Sequence, residues 1–194
     1  FPRDRASAFP VPYRGRVRYE LLPNGVVIDL GVTNLGQEPA PFGLGLHPFF
    51  TRAPFAAGDG PVVRMRAAGR YLTRAQIPTG PPTSDDAVAL LAAGDDLGRV
   101  RLDDVFAGVQ GFVLEYPAAG RALACEMSER LRHVVVYSPG EGDRAAPYVA
   151  VEPCSMANDG FNLHEGGMHG TGVVVLGPGE TLEGSINFQL RTTP

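Results

Sequence analysis

The stretch that decides the fold runs from Arg16 to Thr33 and reads RVRYELLPNGVVIDLGVT. Apolar and polar residues alternate on both sides of its Pro-Asn-Gly sequence, and Asn-Gly is the strongest short signal for a β-hairpin. Because side chains alternate between the two faces of a strand, we expect Val17, Tyr19 and Leu21 to point inward. The same alternation in the second strand predicts a core face made of Val26, Ile28, Leu30 and Val32.

Similar short apolar runs, separated by turns, fill most of the chain. The 25 glycines and 18 prolines among 194 residues are well above average use, which indicates many turns between strands. Further strands are predicted at residues 42–50, 62–72, 111–116, 121–127, 133–137, 148–152, 173–176 and 182–191. A helix is predicted at residues 84–93, with Ser84 as its N-cap and Gly94 as its end. We therefore expect an all-β protein, an antiparallel β-sandwich with one short helix, in a single domain of residues 1–194.

The composition excludes several classes of protein. The formal net charge is −4 and no basic cluster is present, which argues against a nucleic-acid partner. No apolar run approaches the length of a membrane span. The two cysteines, Cys125 and Cys154, do not make a disulfide framework, and we expect buried free thiols. Because no charged-then-apolar signal region opens the sequence, we expect a cytoplasmic protein.

A strand that ends on a carboxylate is predicted at residues 148–152. Tyr148, Ala150 and Glu152 share one face of it. Because Pro153 has no N–H to donate, we expect regular pairing to stop there. Glu152 then lies where an apolar strand opens into a loop rich in Gly, Asn and Asp, and reactive groups often occupy such junctions. The alternative is a surface glutamate that points at water.

The four histidines fall into different sequence contexts. His47 ends an apolar run before Pro48, as Glu152 does before Pro153; the alternative is a core histidine bonded to a backbone carbonyl. His133 has the parity of apolar strand neighbours, which favours packing. His164 and His169 are five residues apart, with two glycines between them, in a segment where we expect no helix. A zinc protease motif needs histidines four apart on a helix, so two solvated loop histidines are favoured over a metal-dependent enzyme.

A second acidic candidate lies in the run from Arg101 to Phe106, which contains Asp103 and Asp104 between apolar residues. If this run is extended, one of the two carboxylates must face inward, and an inward Asp in a small-molecule cleft usually binds hydroxyl groups. The alternative is an Asp pair that begins a turn.

The chain resembles the aldose 1-epimerase (mutarotase) family, particularly its bacterial members. Four segments carry the resemblance in the family's order, and together they span nearly the whole chain: Gly43–Phe50, Leu102–Phe106, Val149–Pro153 with Asn158–Asn162, and Leu176–Glu180. The resemblance implies a galactose mutarotase-like β-supersandwich with a sugar cleft on one sheet. By position in the family's motifs, it implies that His47 is the general acid, Glu152 the general base and Asp103 a ligand for sugar hydroxyls, with Asp104 as a substitute.

The implied activity is interconversion of the α and β anomers of a hexose. One group removes the proton of the C1 hydroxyl while another protonates the ring oxygen, and a carboxylate and an imidazole suit these tasks near neutral pH. Neither a metal nor an organic cofactor is required. Phe49 or Phe112 could line the apolar face of the sugar, and Arg130, Arg132 and Arg144 are weak candidates for binding an anionic sugar. A non-catalytic carbohydrate-binding module of the same fold is the alternative.

The resemblance also implies a further N-terminal portion, which supplies an Arg and another His to the family's substrate site. The first 46 residues contain no His. We therefore expect this chain to be the C-terminal part of a longer protein, and we expect the piece alone to be poorly active or inactive.

Overall fold

The computed structural model describes residues 9–52, 54, 60–97, 101–139 and 147–193. Within those residues the chain forms sixteen strands and two α-helices, and a short 3₁₀ helix spans Pro117–Ala119. In chain order the elements are β1 (Tyr13–Leu22), β2 (Gly25–Asn34), β3 (Ala40–Phe42), β4 (Phe49–Thr51), β5 (Val62–Met65), β6 (Gly69–Arg70), β7 (Thr73–Arg74), β8 (Ile77–Pro78), α1 (Asp86–Ala93), β9 (Asp95–Asp96), β10 (Arg101–Ala107), β11 (Gly111–Tyr116), β12 (Arg121–Met127), β13 (His133–Pro139), β14 (Tyr148–Cys154), α2 (Gly160–Glu165), β15 (Val174–Leu176) and β16 (Thr181–Thr192).

Two large antiparallel sheets form the body of the protein. A seven-stranded sheet has the order β1-β2-β16-β12-β11-β5-β9, and a five-stranded sheet has the order β4-β14-β13-β10-β6. One hydrophobic cluster is drawn from both sheets, with Ile28, Phe112 and Ile186 from the first and Phe106 and Val134 from the second. The predicted all-β antiparallel sandwich is therefore confirmed.

The predicted hairpin is confirmed by the pairing of β1 with β2. Leu22 lies opposite Gly25, so Pro23 and Asn24 form the two-residue turn. On β2 the predicted core face is also confirmed. Ile28, Leu30 and Val32 are buried, and Val26 packs against the cluster that contains Ile28 and Leu30.

The prediction for the other strand of the hairpin was wrong. Val17, Tyr19 and Leu21 are 54%, 64% and 84% exposed. They lie opposite Leu30, Ile28 and Val26 of β2 and so share its core-facing side. However, β1 is the edge strand of the seven-stranded sheet, and no described part of the second sheet covers it. Alternation predicts which side chains share a face, but it does not predict what packs on that face.

Two predicted strands are each divided between different sheets. Residues 42–50 were expected to form one strand, but β3 pairs with β15 in a small sheet and β4 pairs with β14 in the five-stranded sheet. Residues 62–72 were likewise expected to be continuous. In the structure β5 joins β11 and β6 joins β10. In both cases the chain passes from one sheet to another, which a continuous apolar pattern does not reveal.

The helices required two corrections. Helix α1 ends at Gly94 as predicted, but its N-cap is Asp85, whose side chain accepts a hydrogen bond from Val88 N, rather than Ser84. Helix α2 was not predicted, because its six residues are too few to show a period. Its Leu163 packs against a buried cluster that includes Tyr71, so tertiary contact stabilises this helix. No helix within the described ranges is long and apolar enough to cross a membrane.

Candidate active site

Glu152 lies near the end of β14, on the face of the five-stranded sheet that turns away from the main core. Pairing was expected to stop at Pro153, and this was wrong, because β14 continues to Cys154 and Pro153 lies opposite Val134. The carbonyl of Pro153 accepts the N–H of Leu46. In an antiparallel strand the N–H and C=O of one residue point to the same side. The side of Pro153 that lacks an N–H therefore faces the segment before β4. The hydrogen bonds between β14 and β13 do not need that N–H, so their pairing is unaffected.

His47 is held beside Glu152 by the backbone of the segment between β3 and β4. Leu46 N donates to Pro153 O at 2.9 Å, and Ser155 N donates to Leu44 O at 2.8 Å. The first of these hydrogen bonds joins the residue before His47 to the residue after Glu152. Their side chains meet, with 3.3 Å between His47 Nε2 and Glu152 Oε1.

The two members of this pair lie in different environments. The Glu152 side chain is 15% exposed and that of His47 is 57% exposed. Burial raises the pKa of Glu152; the charge of His47 opposes this effect and the negative charge of Asp103 adds to it, so that the net shift is upward. The imidazole of His47 stacks on Phe49, with 4.6 Å between ring centroids and 27° between planes. Phe49 in turn meets the edge of Tyr148 at 4.9 Å.

The two aspartates of β10 face opposite sides of the sheet. The alternative that they begin a turn was wrong, because both lie inside β10. Asp103 lies opposite Tyr137 and accepts a hydrogen bond of 2.6 Å from Gln76 Nε2. Asp104 points the other way, where its Oδ1 lies 3.1 Å from Arg70 Nη1. Asp103 is therefore the aspartate that shares a side with Glu152, and Asp104 is committed to an ion pair.

These side chains border one cavity of about 430 Å³, which we call the cleft. Its size is typical of a small-molecule site. The cleft brings together His47, Asp103 and Glu152 with six further residues: Phe49, Gln76, Val135, Tyr137, Tyr148 and Asn158. Of the two phenylalanines suggested as sugar contacts, Phe49 borders the cleft. Phe112 does not, because it is buried in the core of the sandwich.

Sequence reasoning missed Gln76 as a cleft residue. It lies on a two-residue turn between β7 and β8, which are themselves two residues long. Elements this short carry no periodicity. The one local signal was the Pro-rich run that follows at residues 78–82, which indicates a change of direction but not its target.

The other histidines lie outside the cleft. His133 is buried, with its Nδ1 2.9 Å from Ser155 O and its Nε2 3.4 Å from Tyr71 Oη. Burial lowers its pKa, although hydrogen bonds to backbone carbonyls oppose that effect. The packing role predicted for His133 is confirmed. His164 and His169 are both exposed, and His164 lies on α2, where no helix was expected. Among the described residues no three His, Cys, Asp or Glu side chains are grouped to hold a metal ion.

The arginines considered for an anionic sugar do not border the cleft where they are described. Arg130 borders a separate cavity together with Asp29 and Glu183. Arg132 is not among the residues around the cleft, and Arg144 lies outside the described residues.

The chain is similar in sequence to proteins of one family. The model of the aldose 1-epimerase family matches residues 1–189. The protein YphB of Escherichia coli strain K12, itself uncharacterized, is 27% identical over 184 residues, which are 92% of this chain and 60% of YphB.

Two solved structures show the same fold. A galactose mutarotase-like protein from Clostridium acetobutylicum is 19% identical and superposes with a TM-score of 0.82, over 99% of this chain and 60% of that chain. The GalM/aldose epimerase homologue from C. elegans is 15% identical, with a TM-score of 0.75, over 97% of this chain and 63% of that chain. The chain thus spans about 60% of the length of these relatives. On the extent of the family match, this chain, with its galactose mutarotase-like β-sandwich, belongs to the aldose 1-epimerase family.

Proposed function

We propose that the intact protein is an aldose 1-epimerase that interconverts the α and β anomers of an uncharged hexose. One observation carries the proposal. A half-exposed imidazole and a largely buried carboxylate meet at 3.3 Å inside a cleft of about 430 Å³ that a second carboxylate also borders. A general acid and a general base on one small-molecule cavity are what ring opening of a sugar requires.

In the proposed reaction, Glu152 accepts the proton of the C1 hydroxyl and the protonated imidazole of His47 donates a proton to the ring oxygen. The C1–O5 bond breaks and the open-chain aldehyde forms. Rotation about C1–C2 presents the other face of the carbonyl. The same two groups then return their protons in reverse as the ring closes, so the enzyme ends in its initial protonation state.

The raised pKa of Glu152 suits this role. A base is most effective when its pKa lies close to the working pH, and burial moves the carboxyl in that direction. In the structure His47 and Glu152 contact each other directly, so a sugar would have to separate them. The imidazole of His47 is the half-exposed member of the pair, so it can move towards solvent while a hydroxyl group of the sugar takes its place as the hydrogen-bond partner of Glu152.

The remaining cleft residues support an uncharged substrate. Asp103 would accept hydroxyl hydrogens of the sugar, while the rings of Phe49 and Tyr148 offer an apolar surface. Asp103 and Glu152 would repel a phosphate or sulfonate group. No arginine is among the described residues that border the cleft. A cytoplasmic location stays a prediction.

The proposal is tested by polarimetry of fresh α-glucose and α-galactose with the intact protein, using glucose 6-phosphate for comparison. We expect the approach to equilibrium to accelerate for at least one uncharged sugar, and less for the phosphate ester. In Glu152→Gln, turnover should fall roughly 10²–10⁴-fold while sugar binding persists. The matched control is Glu126→Gln, on the exposed side chain that pairs with Arg191, which should keep full activity.

Two results would count against the proposal. The enzyme reading fails if no sugar mutarotates faster with the protein than in buffer. Saturable sugar binding without any acceleration, unchanged in Glu152→Gln, would instead support a carbohydrate-binding module of the same fold.

A further inference from the structure

The hairpin formed by β7 and β8 carries an unusual turn. Its two turn residues, Ala75 and Gln76, both have positive φ, at 51° and 65°. Two-residue hairpin turns of this geometry normally use Asn-Gly or Asp-Gly, because a side chain is disfavoured in the left-handed region. Neither residue is of those types. The backbone of this turn therefore holds strain that a glycine would relieve, and such strain is concentrated at functional sites.

The strained turn delivers the Gln76 side chain to the cleft. Its Nε2 donates to Asp103 Oδ2 at 2.6 Å, and Gln76 borders the same cavity as His47 and Glu152. A primary amide carries two N–H donors and an acceptor oxygen. One contact to Asp103 therefore uses only part of its capacity, and the rest suits the hydroxyl groups of a sugar.

We infer that Gln76 is a sugar-binding residue that sets specificity in the cleft. Its amide fixes the orientation of the Asp103 carboxylate and forms hydrogen bonds with a sugar hydroxyl beside it. Gln76 and Asp103 together distinguish the two configurations at that carbon, because an epimer places the hydroxyl oxygen on the other side of the ring, away from them. Glycine at this position would relieve the backbone but would remove the amide. This inference rests on the proposed function, because it takes the ligand of the cleft to be an aldose.

The test compares two glycine substitutions in the same turn of the intact protein. Ala75→Gly and Gln76→Gly both relieve a positive-φ residue, and both should raise the thermal midpoint. Only Gln76→Gly removes the amide. We expect Gln76→Gly to raise KM about tenfold for the preferred aldose, with kcat changed much less, and to reduce the preference for that aldose over its epimers. Ala75→Gly should leave KM and the preference unchanged.

Two further substitutions of Gln76 distinguish the effect of its amide group from the effect of its size. Gln76→Glu keeps the size but places a second carboxylate against Asp103, and it should raise KM at least as much as Gln76→Gly. Gln76→Asn keeps the amide and tolerates positive φ, and it should retain part of the epimer preference.

The outcomes separate this inference from the proposed function. If the wild type is active and Gln76→Gly keeps its KM and epimer preference, the inference is overturned and the proposed function stands. If the wild type binds an aldose without turnover, and Gln76→Gly binds it more weakly by calorimetry, the inference is supported while the enzyme reading fails. A wild type that binds no aldose overturns both.

Discussion

Two charged regions lie on opposite faces of β10 and are built differently. On one face, Asp103 and Glu152 border the cleft, and their contacts are the exposed side chains of Gln76 and His47. On the other face, Asp104 lies in the Arg70 cluster, which consists of Arg70, Asp85 and Asp104. The two regions begin at neighbouring residues of one strand.

The partners in the Arg70 cluster are fixed by regular structure. Arg70 belongs to β6, and its Nε donates to Asp85 Oδ2 at 2.8 Å. The second oxygen of Asp85 accepts the N–H of Val88 at 3.2 Å, which caps α1. This cluster therefore joins helix α1 to the neighbouring strands β6 and β10. In the cleft the carboxylates contact exposed side chains that a ligand can replace. The difference indicates that the Arg70 cluster stabilises the fold, whereas the carboxylates of the cleft have partners that a ligand can replace, as the proposed function requires.

The largest change in stability is expected from Arg70→Met, which keeps the apolar stem of the side chain and removes its charge. Asp85 and Asp104 would both lose their cation. We expect a loss of about 2 kcal/mol of unfolding free energy, below the range for fully buried pairs because the Arg70 side chain is 23% exposed. Urea denaturation measures this loss. Turnover per folded molecule should be unchanged, and a variant that keeps its stability but loses activity would contradict the division of roles.

A smaller effect is expected from Asp85→Ala, which removes the cap of α1 and one of the two carboxylates that bind Arg70. We expect a loss of about 1 kcal/mol, since Asp104 remains to pair with Arg70. Ser84→Ala is the matched control, because Ser84 is the cap that the sequence favoured and the structure assigns that role to Asp85. Equal destabilisation by the two substitutions would contradict the observed cap.

The smallest effect concerns the pH dependence of folding stability, to which Asp85 and Glu152 contribute with opposite signs. Burial raises the pKa of Asp85, but hydrogen bonds from Arg70 and from Val88 N outweigh it, so that the pKa is lowered. Asp85 therefore stabilises the fold above its unfolded-state pKa, and this contribution is lost as the pH falls through the lower, folded-state value. Glu152 has a raised pKa, so its ionisation costs stability above the folded-state value, and the cost disappears below the unfolded-state value.

The contribution of Glu152 to stability is measured by comparing the thermal unfolding of the wild type with that of Glu152→Gln between about pH 4 and about pH 8. The glutamine variant should be more stable near neutral pH, by less than about 1 kcal/mol, and the two proteins should converge as the pH falls. The difference between the wild type and Asp85→Ala should also shrink on acidification, but there the wild type is the more stable protein. A Glu152→Gln variant that is less stable at neutral pH would show that the carboxylate has fixed partners after all.

Most of the fold could be predicted because it depends on local pattern. The two strands β11 and β12 begin and end where alternation and turn residues place them. The exposed face of β1 could not be predicted, because burial depends on what lies across the sheet. The division of residues 42–50 between two sheets could not be predicted either, because a passage from one sheet to another does not interrupt an apolar run.

The candidate site was predictable only in part. Glu152 and His47 were marked by their positions before prolines, and the family resemblance suggested that they act together. Which of Asp103 and Asp104 faces the cleft depended on strand parity relative to Glu152, which is fixed by the register of β10 with β13 and of β13 with β14. Gln76 reaches the cleft from a turn about 27 residues earlier in the chain than Asp103, and no local pattern encodes such a contact.

The hydrogen bond between Leu46 N and Pro153 O has a consequence for how such a site can diversify. It fixes the spacing of the main chain at His47 and Glu152, one residue away from each of them. Asp103 and Gln76, which we propose to contact the sugar, come from another strand and another turn. On the proposed function, residues at these two positions could therefore be replaced, and other sugars accommodated, without changing the main-chain spacing of the acid and the base.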